Sequence, residues 1–323
     1  MAHELEMQNG KAMMAYNKAE KPWHGLGFAV EGDLTPEQMM KAAHLDWTVD
    51  KVPCKIKIDG KNVGVGHDAL VRSSDKKVFD VVTEDWNPVQ NQVAFDFFDQ
   101  YVKAGNMDME TAGALKGGQL VWALARIKDS FSLFKNKDRV ESYMLFTNPH
   151  MYGMSTSVSF TAIRVVCANT LNLSLNNSKG DKIVRVSHRN EFDAEQVKET
   201  LGIAHEKLAQ YKEMAEFLAS RKAKKPDMME YFKHLFPVVS NKEEGSKKEM
   251  SQGAKKCLEV LDTQPGAELG EGTWWQPYNA VTFHLDHNAG RSSDSRLTSA
   301  WYGPNRNLKV KALEQAVKMA EAV

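Results

Sequence analysis

An alternating segment from Ser155 to Val166 constrains the fold of this chain more than any other feature of its sequence. Every second residue from Val158 onward falls on one face of a strand, and the residues between them fall on the other face. Arg164 shares the face of the apolar residues, which should point into a core. A guanidinium cannot lose its proton, so a buried Arg164 must meet an internal acid or an anionic ligand, and the sequence leaves both open. The candidate internal acids are Asp80, Asp108 and Glu110.

Composition narrows the class of protein. The 323 residues are 42% hydrophobic and 26% charged, as in globular proteins of one large domain or two smaller ones. No apolar run approaches the ~18 residues of a membrane span, and the polar N-terminus is unlike a secretory signal. Three isolated cysteines fit a reducing compartment, so we expect a cytoplasmic protein with no membrane partner. Familiar catalytic and nucleotide-binding motifs are missing, so the sequence predicts no cofactor and favours a protein that is not an enzyme.

Charge is balanced over the whole chain but concentrated in one block. Lys and Arg together number 42, as do Asp and Glu. Residues 151–190 nevertheless hold five basic residues against one acidic residue, a net charge of +4. The basic side chains that follow the alternating strand are Lys179, Lys182, Arg185 and Arg189. They form either a solvated strand edge, where lysines discourage sheet pairing, or an anion-binding patch.

The order of elements predicts an α+β protein. We expect an antiparallel β-sheet body with packed helices, followed by a helical C-terminal part. A capping box at Thr35 predicts the start of the first helix, and a further helix is expected from about Ala168, after the alternating strand. The predicted units are an N-terminal arm (1–33), an α+β core domain (34–190), a long and a short helix (191–238), a linker (239–273) and a helical C-terminal segment (274–323).

Two helical segments allow more than one interpretation. An apolar stripe with heptad spacing runs from Val197 to Leu218, and it predicts either a helix packed on its own domain or a coiled-coil contact between subunits. The motif WNPVQN joins a strand to a helix, which Gln90 or Asn91 is expected to cap.

Three residues near the C-terminus are the weak candidates for a metal site. His284 and His287 share a helix face, and Asp286 lies about 100° away from it. Two imidazoles and a carboxylate can hold zinc or iron, but nothing in the sequence points to another protein ligand. The alternative is structural, because histidines near a helix C-terminus interact favourably with its dipole and Asp286 can pair with an arginine. The sequence therefore predicts no metal.

Several motifs, in order along nearly the whole chain, resemble those of one family. They are PWHGLG (22–27), AHLDWTV (43–49), WNPVQN (86–91), ETAGALKGGQLVWALARI (110–127), TAIRVVCANTLNLSL (161–175), YNAVTFHLDH (278–287) and RLTSAWYG (296–303). With them the chain resembles the phage and plasmid-like proteins that carry the domain of unknown function 932. The resemblance implies an origin in a bacteriophage or another mobile element, and hence the cytoplasm of a host cell. It also implies a place in DNA metabolism, without an agreed activity.

Our leading hypothesis is a homo-oligomeric protein that binds or anneals single-stranded DNA during recombination. Its element order is compatible with that of phage single-strand annealing proteins. Phosphates would meet Arg164 and the basic block (Lys179, Lys182, Arg185, Arg189), and bases would stack on Trp86 or Trp122. One alternative is a metal-dependent enzyme acting on nucleotides or nucleic acid through His284, Asp286 and His287. Another is a non-catalytic interaction protein that counters a host system.

Overall fold

The computed structural model describes residues 7–8, 11–17, 27–105, 107–164, 169–172, 184–186, 194–238, 250–290, 296, 299–300 and 303–322. The strands in this part of the chain are β1 (Met7–Gln8), β2 (Lys11–Ala12), β3 (Met14–Asn17), β4 (Phe28–Val30), β5 (Val49–Ile58), β6 (Lys61–Arg72), β7 (Val78–Thr83), β8 (Asp108–Leu115), β9 (Leu120–Leu133), β10 (Asp138–Pro149), β11 (Thr156–Arg164), β12 (Asn169–Asn172) and β13 (Val184–Val186). The α-helices are α1 (Pro36–Ala42), α2 (Asn91–Ala104), α3 (Ala194–Ser220), α4 (Lys225–Leu235), α5 (Gln252–Val260), α6 (Trp275–Phe283) and α7 (Pro304–Glu321). A π-helical turn (His284–Asn288) continues α6, and short 3-10 turns lie at Lys116–Gly118 and Ala267–Gly270.

An eight-stranded sheet forms the body of the protein. Its strand order is β12–β11–β10–β9–β8–β3–β4, and β13 pairs with β11. Its pairs are antiparallel apart from the parallel pair of β3 and β4. The α+β class, with an antiparallel sheet and a helical C-terminal part, is therefore confirmed.

Both faces of this sheet carry apolar side chains. Val121, Ala123 and Ala125 of β9 belong to a core that also contains the apolar residues of α1 and α2. The residues between them, Trp122 and Leu124, belong to a separate cluster with residues of β2 and β10. Farther along the strands, β9 and β10 contribute to a third core with the C-terminal helices. The long strands thus join the N-terminal and C-terminal halves through side chains that alternate in period two.

The apolar stripe of α3 packs inside its own chain. Leu208, Tyr211, Ala215 and Leu218 are buried in the core that the C-terminal helices share. This confirms a helix packed on its own domain for that half of the stripe, and the side chains at positions 197, 201 and 204 lie outside the described part. None of the described helices is long and apolar enough to span a bilayer.

Three features differ from the predictions. Residues predicted as an N-terminal arm form β3 and β4 of the central sheet, where Met14 and Ala15 are buried. The helix expected from about Ala168 is wrong, because Asn169–Asn172 pairs with β11 as a strand. The segment predicted as a linker contains α5, whose Ala254 and Cys257 are buried, so its apolar spacing outweighed its polar flanks.

A second sheet, of three strands in the order β5–β6–β7, stands beside the first one. Val49, Leu70 and Val82 attach its base to the core around α1 and α2. Beyond His67, which pairs with Thr83, strand β6 pairs with β5 and no longer with β7. Residues 54–65 therefore form a two-stranded extension, which we call the projecting hairpin.

Candidate functional site

The predicted phosphate-binding residues lie along one edge of the central sheet or outside the described part of the chain. Arg164 is the last residue of β11 and pairs with Val140 and Asn169, whereas Arg185 of β13 pairs with Ser157. Seven positions of β11 separate these two places, which is roughly 23 Å along a strand. The side chains of both arginines, and the residues Lys179, Lys182 and Arg189, lie outside the described part, so their contact with phosphate stays a prediction.

The three acids considered as partners for Arg164 each have another partner. Glu110 lies 3.7 Å from Arg126, and Asp108 lies 3.6 Å from Lys128. Asp80 accepts hydrogen bonds from the backbone N–H groups of Tyr152 (2.7 Å) and Val81 (2.8 Å).

Both tryptophans predicted to stack bases lie in the protein interior. Trp86 is 6% exposed and Trp122 is 3% exposed. Trp122 packs across β8 at Gly113, where an added Cβ would lie 3.0 Å from its ring. In this conformation neither indole has an open face for a base.

The metal candidates lie on the π-helical turn that follows α6, and they do not form a ligand set. Asp286 accepts a hydrogen bond from Lys309 at 2.7 Å, and both side chains are buried. His284 packs against Phe236, and the ring of His287 lies 4.6 Å from that of Phe283. Among the described residues there is no group of three or more His, Cys, Asp or Glu that could hold a metal ion.

The burial of His284 makes a pH dependence predictable. Burial lowers the pKa of His284 below its usual 6.5 in the folded chain. Below about pH 6.5 the unfolded chain therefore binds more protons than the folded chain, and stability falls as the pH drops. We expect His284→Leu to reduce the loss of stability between about pH 7 and pH 5, measured by urea unfolding at both values. The same loss in both proteins would contradict this expectation.

Two of the sequence motifs, AHLDWTV (43–49) and WNPVQN (86–91), meet at a buried cluster of polar groups, which we call the polar junction. The Nδ2 of Asn91 donates to the carbonyl of Leu45 at 2.8 Å. Its Oδ1 accepts from Asn148 at 3.2 Å and lies 2.9 Å from Nε2 of His150. The AHLDWTV and WNPVQN motifs and the end of β10 are therefore held together by one amide at the start of α2.

Gln90 belongs to the same junction. It was expected to cap α2, but its side chain bonds elsewhere. Its amide accepts from the N–H of Val49 and donates to the carbonyl of Val49, both at 2.9 Å. Gln90 is at the N-cap position of α2 but makes no side-chain cap hydrogen bond. Its two bonds fix the start of β5, so the junction attaches the small sheet to the body.

Arg72 clamps the base of the small sheet beside this junction. Its guanidinium lies over the rings of Trp47 and Phe79, at 5.5 and 5.3 Å from their centroids. It donates two hydrogen bonds to Asp75, at 2.8 and 2.6 Å, and these lower the pKa of that carboxyl to about 2. Gly118 of the KGGQ turn has a φ of +93°, and a Cβ there would collide with the guanidinium. The clamp therefore needs glycine at this position.

The projecting hairpin extends from this clamped base with two different faces. Cross-strand partners share a face, so Ile56 and Val63 lie on one face and Lys57 and Asn62 on the other. Asp59 and Gly60 both have positive φ and make its two-residue turn. All residues from position 55 to 65 are exposed.

The polar face of the hairpin is basic. Lys55 and Lys57 lie on this face, whereas Lys61 pairs with Ile58 and lies on the other face. None of the three makes an ion pair within the described part of the chain, and with Asp59 they give residues 54–65 a net charge of +2. Tyr152, which is 65% exposed, is fixed by its backbone bond to Asp80 of β7. The alternation of lysine and isoleucine before Asp59 and Gly60 was a sequence signal for this hairpin. The alternation alone does not show which face of a strand remains exposed.

Comparison with known proteins supplies a family and no activity. The family model described as Domain of unknown function (DUF932) matches residues 78–301. No curated protein and no solved structure matches the chain. The matched range includes most of the central sheet, the WNPVQN motif and α3 to α6. It spans well over half of the chain, and the protein therefore belongs to the family defined by the domain of unknown function DUF932.

Proposed function

We propose that this chain is a non-catalytic, homo-oligomeric protein that binds single-stranded DNA. The observation that carries the proposal is the basic face of the projecting hairpin. Lys55 and Lys57 on this face are exposed beyond the base of the small sheet, and neither makes an ion pair within the described part of the chain. Lysines of this kind attract a phosphate backbone through counterion release, which does not require a particular base sequence.

An exposed aromatic side chain supports single-stranded DNA over a duplex. Asp80, which fixes Tyr152, pairs across the sheet with Leu70, and Leu70 pairs with Lys51. Lys55 lies four positions farther along β5 than Lys51, roughly 13 Å away along the strand. The ring is attached at β7 and the lysines lie on β5, at the other edge of the same small sheet. This arrangement suits a base that stacks while phosphates farther along the nucleic-acid strand contact lysines, and stacking of this kind needs an unpaired base. In this proposal the base stacks on Tyr152 and not on Trp86 or Trp122.

Removing the hairpin lysines should weaken binding and its dependence on salt. We expect Lys55→Ala/Lys57→Ala to reduce the slope of log affinity against log salt by about 0.7 for each lost phosphate contact. Tyr152→Ala should weaken binding by about 5- to 150-fold and leave that slope unchanged, because a stacked base costs ~1–3 kcal/mol. Fluorescence anisotropy with a labelled oligonucleotide, titrated at several salt concentrations, measures both effects.

A matched pair of lysines provides the control. Lys222 and Lys224 are exposed and have the same spacing, but they lie between α3 and α4. Lys222→Ala/Lys224→Ala should bind like the unaltered protein. An unaltered protein that does not bind at tens of micromolar at low salt would reject the proposed function. Equal losses in both lysine pairs would reject the hairpin as the site.

A further inference from the structure

The outer face of the three-stranded sheet carries a stripe of aliphatic side chains that nothing in the described chain covers. Its members are β-branched, and each is between 43% and 57% exposed: Val52, Ile56, Ile58, Val63, Val78 and Val81. We infer that this face, which we call the aliphatic stripe, is the contact surface for a second copy of this chain. The inference rests on the homo-oligomeric part of the proposed function and names its interface.

The strand register places these residues on one continuous face. Val52 pairs with Ala69, which pairs in turn with Val81, so one row crosses all three strands. Ile56 pairs with Val63 two rows nearer the tip. The opposite face at the base contains Leu70, which is fully buried against the body. At its base the small sheet therefore has one covered face and one open, aliphatic face.

The extent of the stripe fits the apolar centre of a stable interface. Six aliphatic side chains, each about half exposed, amount to roughly 200–350 Å² of apolar surface. The largest apolar patch on a monomeric protein is ~300–600 Å² and is often functional. A standard interface buries ~800 Å² on each partner, and its centre is more apolar than its rim. The stripe supplies such a centre, and Asp50, Lys61 and the strand backbone around it can supply the rim.

The charges at the two ends of the stripe favour a second copy over an unrelated partner. Asp50 is exposed at the base of this face, and Lys61 lies at the tip, where it pairs with Ile58. The two ends are roughly 26 Å apart along β5. If two copies stack these faces about a two-fold axis with antiparallel strands, Lys61 of each copy lies over Asp50 of the other. The stripe is thus self-complementary, as a two-fold interface requires.

This arrangement brings Cys54 close to the two-fold axis. Cys54 lies on the same face, midway between Asp50 and Ile58, and it is a partly exposed free thiol. Two sheets that stack face to face lie ~10 Å apart, with their side chains interdigitated between them. The two Cys54 side chains should therefore be within reach of a short thiol-specific cross-linker.

The test changes the stripe and keeps the hairpin paired. Ile56→Lys/Val63→Glu places opposite charges at one cross-strand pair, so the net charge and the favourable pairing are retained. We expect the unaltered chain at tens of micromolar, without DNA, to show at least twice the monomer mass by light scattering coupled to size exclusion. The double variant should have half the mass of the unaltered chain, and Lys55→Ala/Lys57→Ala, on the opposite face, should keep the mass of the unaltered chain.

Cross-linking gives a second readout, in which the dimer is sought in the unaltered chain. A short bismaleimide should produce a covalent dimer of the unaltered chain, and Cys54→Ser should abolish it. A monomeric mass in the unaltered chain would overturn the inference and leave a different partner as the occupant of the stripe. An unchanged mass in Ile56→Lys/Val63→Glu, or a dimer that persists in Cys54→Ser, would also overturn it. All of these measurements omit DNA, so a failure of DNA binding is distinguishable from a failure of this interface.

Discussion

Lys309→Ala is expected to destabilise the chain by about 3–5 kcal/mol, because it leaves the carboxylate of Asp286 buried without its ammonium partner. The side chains are 1% and 5% exposed, and their 2.7 Å contact joins α7 to the π-helical turn. Burial lowers the pKa of Lys309, and the charge of Asp286 opposes this shift. The contact with Asp286 thus favours the charged form of the Lys309 side chain, against the effect of burial. Urea unfolding followed by circular dichroism measures the loss.

A double variant separates the cost of an orphaned charge from the cost of lost packing. Asp286→Leu/Lys309→Met removes both charges and keeps apolar volume, and buried pairs replaced in this way often lose little stability. We therefore expect it to recover most of the loss caused by Lys309→Ala. A single variant that loses less than about 1 kcal/mol would mean that water or another cation reaches Asp286.

Asn91→Ala should cost about 3 kcal/mol, since it removes the amide on which the polar junction depends. The carbonyl of Leu45 loses a donor and His150 loses the contact with Oδ1, and a buried polar group left without its partner costs ~1–3 kcal/mol. Asn148 is affected less, because its Nδ2 also donates to the carbonyl of Val89 at 2.9 Å. The midpoint of urea unfolding again gives the size of the effect.

The same motif contains the control for this change. Asn87 lies four residues before Asn91 in WNPVQN and is exposed. Asn87→Ala should alter the free energy of unfolding by no more than about 0.5 kcal/mol, as surface substitutions usually do. If both variants were destabilised alike, the motif would stabilise the chain through its turn and not through the buried amide.

Local signals predicted the elements whose stabilising contacts are close in sequence. The capping box predicted α1. In the structure the side chain of Thr35 accepts from the N–H of Gln38, and the side chain of Gln38 accepts from the N–H of Thr35. The WNPVQN motif predicted a helix after it, and the structure contains α2 (Asn91–Ala104) there. These signals involve residues within one or two turns, so the sequence contains all of the information that they need.

The prediction was wrong where a partner distant in sequence decides the structure. A helix was expected from about Ala168, but the backbone of Asn169–Asn172 pairs with β11. The same holds for Gln90 and Asn91, whose partners Val49 and Leu45 precede them by 41 and 46 residues. A side-chain amide can bond to a backbone group close to it in sequence or to one far away. The spacing of residues along the sequence indicates only the local bond.

The residue types that the sequence predicted for a DNA-binding site are exposed in the described chain at positions other than the predicted ones, and DNA binding there stays a prediction. A basic strand and an aromatic residue were expected, and the described residues that offer them are Lys55, Lys57 and Tyr152 in place of Trp86 and Trp122. The bulky tryptophans fill the core, because burying a large ring stabilises more than exposing it. Which apolar face remains open depends on how the sheets pack, and alternation within one strand does not contain that information.

Pro53 and the irregular pairing beside it affect whether copies of this chain can polymerise into fibres. A free strand edge is a template for the addition of further strands, which leads to fibres. At the root of the projecting hairpin Pro53 has no N–H to offer, and the register shifts between Pro53 and Lys55. Lys55 and Lys57 add repulsion along the same edge, as gatekeeper residues do. Strand addition at the β5 edge is therefore disfavoured. In the proposed dimer, by contrast, two stacked faces cover each other, and neither is left open to a third copy.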